Sequence, residues 1–313
     1  MPETTGTSAA VPFTRIAVMG TGAVGGYFGG MLARAGLDVT FIARPATADF
    51  ITRKGLRIDS ANFHEALRVK ATADLAAVKD AELILFCVKT LDTDSVAASL
   101  KPFVKSKAIV VSLQNGVDNA DRIRAAGLDG FPAVVYVAAS VPERGRIKHD
   151  ARGDLAIGGE ANRLADLQRI AATFTQAGVP CEISQNIDTA LWSKFVFNCA
   201  LNAISAIAQV GYGTVGTEQW GRECAIAAAK ETIAVGRAVG VQLPEDEIIA
   251  KLIAFAQKMG EVRSSTAQDI AKGKRTEADD LNGYVVRRGA EFGVPTPVNH
   301  TLTALLKLIE TRL

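Results

Sequence analysis

Residues 14–36, TRIAVMGTGAVGGYFGGMLARAG, decide how this chain is read. Ile16 to Met19 is a short apolar run of the kind that forms a buried strand. It runs into Gly20-Thr21-Gly22-Ala23-Val24-Gly25, and a small-residue helical stretch follows to Gly36. Strand, GxGxxG, helix is the order that a dinucleotide-binding turn requires. The three glycines have separate tasks. Gly20 permits the tight turn, Gly22 lets backbone approach a pyrophosphate, and Gly25 lets helix and strand pack closely. The helix would then point its unpaired N–H groups at the phosphates. Gly26, Gly29 and Gly30 extend the small face, although so many glycines weaken an isolated helix.

Working outward, apolar runs at 38–43, 82–88, 108–113 and 133–139 read as further strands, most of them continuous enough to be covered on both faces. Helical segments alternate with them, which predicts βαβ units and a doubly wound sheet. Residues 55–58 and 66–69 read as a small hairpin, and 146–149 with 154–157 as paired strands around a Gly-containing turn. A helix at 161–177 and a last strand at 181–184 complete this part. Beyond about residue 187 no strand pattern survives. Segments 188–208, 218–240, 245–259, 261–273 and 277–292 have helical periodicity, and a final helix follows Pro297-Val298-Asn299 with Asn299 as its N-cap. The expected organisation is an α/β domain over 1–187, with 1–12 as a loose tail, and an all-helical domain over 188–313.

The chain has 313 residues, 48% of them apolar, and a net charge of +2. Interspersed charge of that size argues against a nucleic-acid or membrane-surface role. The four cysteines, Cys87, Cys181, Cys199 and Cys224, lie far apart in apolar stretches with no metal-ligand spacing, which predicts buried free thiols and no metal. No basic n-region or apolar signal core opens the sequence. The longest apolar stretch, 195–208, is short for a bilayer and carries two asparagines. A cytoplasmic protein is the expectation. The pattern leaves the oligomeric state open, a homodimer being compatible with it.

An NAD-binding unit usually ends its second strand with Asp or Glu. Here Asp38 begins that strand and Arg44 follows its end. A fixed planar cation suits a 2′-phosphate, and Lys89, past the 82–88 strand, adds a second positive charge at the same edge. Solvated loop residues would also fit. With that alternative open, the reading favours NADP.

Three polar groups call for attention. Lys194, Asn198 and Asn202 are spaced i, i+4, i+8 on one face of an otherwise apolar helix. Buried polar groups need partners, so the stripe either ties helices together or holds a substrate beside a proton-donating lysine. Arg263-Ser264-Ser265-Thr266-Ala267-Gln268-Asp269 is the second group. It is followed by Thr276 and Asp279, spaced as a capping box that would put Glu277 in the first turn of a helix. Asn115-Gly116 ends the 108–113 strand, as a turn pair or as a ligand contact.

These motifs together resemble the ketopantoate (2-dehydropantoate 2-) reductase family: GTGAVG at 20–25, Arg44, VKT at 88–90, QNG at 114–116, WSKFVFNCALN at 192–202, SSTAQD at 264–269 and TEADDLNG at 276–283. The resemblance implies a Rossmann domain joined to a helical one, with NADPH and substrate in the cleft between them. It implies reduction of a 2-oxo acid, 2-dehydropantoate, to its 2-hydroxy acid in pantothenate biosynthesis. Lys194 would be the proton donor and Glu277 the active-site glutamate. Asn198, Asn202 and Ser265 would bind substrate, Asn115 both substrate and cofactor, and Arg44 and Lys89 the 2′-phosphate. The chain departs from the family pattern at two places, offering Gly211-Tyr212-Gly213 and Val262 where asparagines are expected. Other readings of the same motifs are a β-hydroxyacid or polyol-phosphate dehydrogenase, and a non-catalytic NADP-binding sensor.

Overall fold

The computed structural model describes residues 10–313, so most of the tail expected at 1–12 lies outside the described residues. The chain divides into two compact units, one running to Ile187 and the other from Asp188 to Leu313.

The first unit is a mixed sheet with helices. In chain order its elements are β1 (Arg15–Met19), α1 (Ala23–Arg34), β2 (Asp38–Ile42), α2 (Pro45–Lys54), β3 (Leu56–Asp59), β4 (His64–Leu67), β5 (Lys70–Thr72), β6 (Leu83–Phe86), α3 (Thr93–Leu100), β7 (Ile109–Ser112), α4 (Asn119–Ala125), β8 (Asp129–Glu143), β9 (Arg146–Ile157), α5 (Leu164–Gln176) and β10 (Cys181–Ile183). The sheet order is β4-β3-β9-β8-β7-β6-β1-β2-β5, with β10 added to β9. From β5 to β8 all neighbours are parallel. That stretch is the expected Rossmann-like core, with β1 at its centre. Adjacent residues of its strands feed opposite faces: Val18, Leu85 and Val111 join one core cluster, and Ala17, Ile84 and Val110 the other. Coverage on both faces is why these strands read as unbroken apolar runs.

The hairpin expected near 55–69 forms as β3 and β4. The pairing expected between 146–149 and 154–157 does not. Both segments belong to β9, which runs antiparallel to β8 along nearly its whole length. The apparent turn is a bulge: Arg152 and Gly153 have φ of 58° and 134°, and the register slips opposite Tyr136 and Val137. One extra residue is absorbed and the strand continues.

The second unit is helical throughout: α6 (Ile187–Ala208), α7 (Tyr212–Thr217), α8 (Gln219–Ala238), α9 (Glu245–Met259), α10 (Ser265–Ala271), α11 (Asn282–Phe292) and α12 (Pro297–Glu310). The apolar stretch expected to be too short for a bilayer is extended by α6 to 22 residues, long and apolar enough to cross one. Of its most apolar window, 61% is buried in protein, and Phe195, Val196 and Cys199 are fully enclosed, so it serves as a core helix. Trp192 and Phe195 pack edge-on to one another and against Tyr284 of α11.

Two expected helix starts are corrected. Asn299 does not cap α12; it sits inside the first turn, fully buried. Its Nδ2 donates to the Ala228 carbonyl and to Glu231, and its Oδ1 accepts from Asn282. The capping role falls to Glu231 of α8, whose carboxylate accepts the N–H groups of Val298 and Asn299. The Thr276–Asp279 capping box is absent as well. The Thr276 hydroxyl accepts from the N–H of Ala278 and donates to Glu310, so 277–281 forms a separate turn and α11 begins only at Asn282.

Candidate active site

In the first unit the candidate nucleotide residues gather at one edge because the core strands are parallel. Gly20 follows β1, Arg44 follows β2, Lys89 follows β6 and Asn115 follows β7. The turn after β1 is tight. Gly20 has φ of 99°, and a Cβ there would lie 2.9 Å from the Cys87 carbonyl. A Cβ on Gly25 would drive into the Gly20 carbonyl oxygen and come within 3.0 Å of Cys87 Cβ.

Gly22 differs from both, since a Cβ there would meet nothing within 4 Å. It stands at the N-cap of α1, which has no side-chain cap and no acidic residue in its first turn. Beside it the Thr21 hydroxyl oxygen is buried with no hydrogen-bond partner. An uncapped helix N-terminus, open space over a glycine and an orphaned hydroxyl together fit a bound pyrophosphate. Ala23 and Val24 supply the first turn of that helix. Arg44 is exposed just before α2, its carbonyl accepting the Thr47 and Ala48 N–H groups. Lys89 is half-buried.

Asn115 is held by a network that the sequence reading missed. Its carbonyl accepts from the Thr90 hydroxyl at 2.8 Å and from Asn119 Nδ2 at 2.7 Å. Gln114 donates to the Val88 carbonyl and to Thr93 Oγ1, and Thr93 in turn donates to Asn119. The loops after β6 and β7 are thereby joined through buried side chains. Gln114 lies within the QNG motif, so the signal was present; its partners are 21 and 26 residues away and were not.

In the second unit the stripe on α6 is graded. Lys194 and Asn198 are half-buried, whereas Asn202 is 3% exposed. Asn202 Oδ1 accepts from the Tyr212 hydroxyl at 2.8 Å, and its carbonyl accepts from the Ser264 hydroxyl at 3.1 Å. Ser264 is also the N-cap of α10, accepting from the N–H of Ala267. The double serine therefore divides its work: Ser264 is buried structure, and Ser265 is exposed in the first turn of α10. Glu277 is half-buried. Its neighbour Ala278 packs in one apolar cluster with Ala203 and Ala206 of α6, and Asn282 donates to the Cys199 carbonyl at 2.8 Å. The segment carrying Glu277 is thus fastened along the same helix that carries Lys194. The four cysteines are free, and only Cys199 is fully buried. Burial raises every one of the thiols, Cys181 to about 12.

Known proteins match this chain along nearly its whole length. The model described as "Ketopantoate reductase PanE/ApbA" matches residues 16–162, and its C-terminal counterpart matches 186–310. The 2-dehydropantoate 2-reductase of Archaeoglobus fulgidus is 32% identical over 300 residues, 96% of this chain and 99% of the relative. The chain belongs to the ketopantoate reductase family. A crystal structure of a ketopantoate reductase family member from Ralstonia eutropha JMP134 is 46% identical, with a TM-score of 0.90 over 95% of this chain and 99% of that one. The fold also extends to a D-mandelate dehydrogenase solved with NADH and anilino(oxo)acetate, 23% identical with a TM-score of 0.89 over 95% of this chain and 99% of that one. Within the ketopantoate reductase fold, the Rossmann-like unit and the helical unit are those expected from the sequence.

Proposed function

We propose that this family member is an NADPH-dependent reductase of 2-oxo acids, with 2-dehydropantoate as its substrate and pantoate as product. The observation that carries the reading is the α6 face, where a lysine and an asparagine one turn apart stay half-open beside the fully enclosed Phe195, Val196 and Cys199. Partial desolvation of an ammonium group and an amide is offset by hydrogen bonds, which a substrate's oxygens can supply beside the protein's own groups.

When bound, the nicotinamide supplies hydride to the 2-oxo carbon. The chain's own residues do the rest. Lys194, as an ammonium, hydrogen-bonds the oxo oxygen, stabilises the negative charge developing there and donates the proton that completes the hydroxyl. Glu277 offsets the desolvation of that ammonium and orients it. Asn198 and Asn202 direct N–H donors at substrate oxygens, and Ser265 binds the carboxylate. Gly20, Thr21, Gly22, Ala23, Val24 and Gly25 hold the pyrophosphate, Arg44 and Lys89 the 2′-phosphate, and Asn115 bridges cofactor and substrate.

Steady-state oxidation of NADPH and of NADH with 2-dehydropantoate and a panel of 2-oxo acids, and reduction of NADP+ and NAD+ with 3-hydroxy acids, both followed by absorbance, test the proposal. Turnover of 2-dehydropantoate with NADPH preferred is the expected result. No turnover of any 2-oxo acid would end it, and a preference for NADH would end the NADPH assignment.

A further inference from the structure

The two places where the chain departs from the family pattern, Tyr212 and Val262, are bonded to each other. The Tyr212 N–H donates to the Val262 carbonyl at 2.9 Å, and the Gly213 N–H to the Gly260 carbonyl at 2.7 Å. Glycine on both sides of Tyr212 makes this approach possible. A Cβ at 211 would lie 2.6 Å from the Gly260 carbonyl oxygen, and one at 213 would lie 2.8 Å from Gly260 Cα. The segment held this way leads into Ser264, whose hydroxyl reaches the Asn202 carbonyl. The Tyr212 hydroxyl reaches the Asn202 side chain. Asn202 is therefore gripped at backbone and side chain by a single junction.

We propose that Tyr212 is a positioning residue, fixing the Asn202 amide so that it offers substrate only N–H donors. This rests on the reductase reading above.

The polarity follows from the hydrogen-bond inventory. A buried phenol must donate its proton somewhere, and Asn202 Oδ1 is the acceptor at 2.8 Å. Burial raises the Tyr212 hydroxyl well above the usual phenol range, so it keeps that proton. Turning the amide over would leave the phenol proton without its acceptor. With Oδ1 engaged, the remaining capacity of Asn202 is two N–H bonds, which match carboxylate or oxo oxygens.

Y212F keeps the ring and loses the donor. The assay is kcat and KM for 2-dehydropantoate, with melting curves, in Y212F, N202A and the double variant. In Y212F, KM should rise about tenfold, the worth of one lost hydrogen bond with its acceptor left unpaired, with kcat within about twofold. Because Tyr212 acts through Asn202, the same change should raise KM no further in an N202A background. An unchanged KM in Y212F, or an equal rise with and without Asn202, would overturn the positioning role. Should Y212F fail to fold, N202D decides: its carboxylate still accepts from Tyr212 but offers substrate no N–H, so its KM should rise more than about tenfold, and an unchanged KM would overturn the inference. If wild type reduces no 2-oxo acid, the reductase reading itself has failed and this inference falls with it.

Discussion

Gly22 and Gly25 lie three residues apart in one motif, yet alanine at each should have opposite effects. At Gly25 the new methyl group collides with the Gly20 carbonyl oxygen and meets Cys87 Cβ at 3.0 Å and Val18 Cγ1 at 3.1 Å. A backbone carbonyl cannot swing aside as a side chain would. The turn that holds it is pinned where the Gly20 N–H donates to Ile42 at 3.0 Å and the Cys87 N–H to Met19 at 2.8 Å. Overpacking costs about 1–3 kcal/mol, and loosening one of those bonds adds about 1 kcal/mol. A total near 3 kcal/mol lowers Tm by about 6–12 °C at the 2–4 °C per kcal/mol usual for a domain of this size. At Gly22 the methyl meets nothing, and φ of −81° suits any residue. Its Tm should match wild type or rise slightly, because alanine restricts the unfolded chain. NADPH binding should nevertheless weaken tenfold or more, about 1.4 kcal/mol, since the methyl occupies the space assigned to the pyrophosphate. Circular-dichroism melts and titration of nicotinamide fluorescence read the two quantities separately. Normal NADPH affinity in G22A would remove the pyrophosphate from that space, and a G25A melt within about 2 °C of wild type would refute the steric account.

Other expectations are shorter. Lys194→Ala should lower kcat by roughly 10²–10⁴ under saturating substrate, the usual worth of a general acid; near-normal turnover would move the proton donor elsewhere. Arg44→Ser should raise KM for NADPH by about 10- to 100-fold and leave NADH unchanged, as expected when a charge-assisted phosphate contact is lost. Asn299→Ala removes amide bonds to Ala228, Glu231 and Asn282, and should cost about 2–4 kcal/mol in urea unfolding. Asp59 is held well below the usual carboxylate range, chiefly by the Arg146 guanidinium and further by Arg57 and His64. A lowered carboxyl stabilises the fold fully above its unfolded value near ~3.9 and loses that contribution as pH falls toward the folded value. Asp59→Asn should therefore be less stable than wild type at pH 7, with the gap closing below about pH 4 in acid titrations followed by fluorescence.

What the sequence made legible was local. The strand–glycine–helix unit and the apolar strands follow from patterns a few residues long, because a parallel core strand must be apolar on both faces. Where the reading went astray, a distant partner decides. Arg152-Gly153 has the composition of a turn, and only the registry with β8 makes it a bulge. Asn299 has the composition of a cap, but Glu231, 68 residues earlier, does the capping. Helix α7 is too glycine-rich to be read as a helix; Gly216 earns its place by close packing, since a Cβ there would lie 2.7 Å from Ala256 of α9. Among the candidate site residues, the spacing of Lys194, Asn198 and Asn202 put them on one helix, while the hydrogen bond that sets Asn202 apart comes from Tyr212, ten residues on.

The bond from Thr276 to Glu310 also orders events in time. Thr276 immediately precedes Glu277, and its N–H and hydroxyl both rest on a carboxylate 34 residues downstream. Lys307 adds a brace between that carboxylate and Asp279. On the ribosome, the loop bearing Glu277 emerges well before the prop that steadies it. A nascent chain stalled short of residue 310 would carry every proposed reacting group and still lack the scaffolding to hold one of them still.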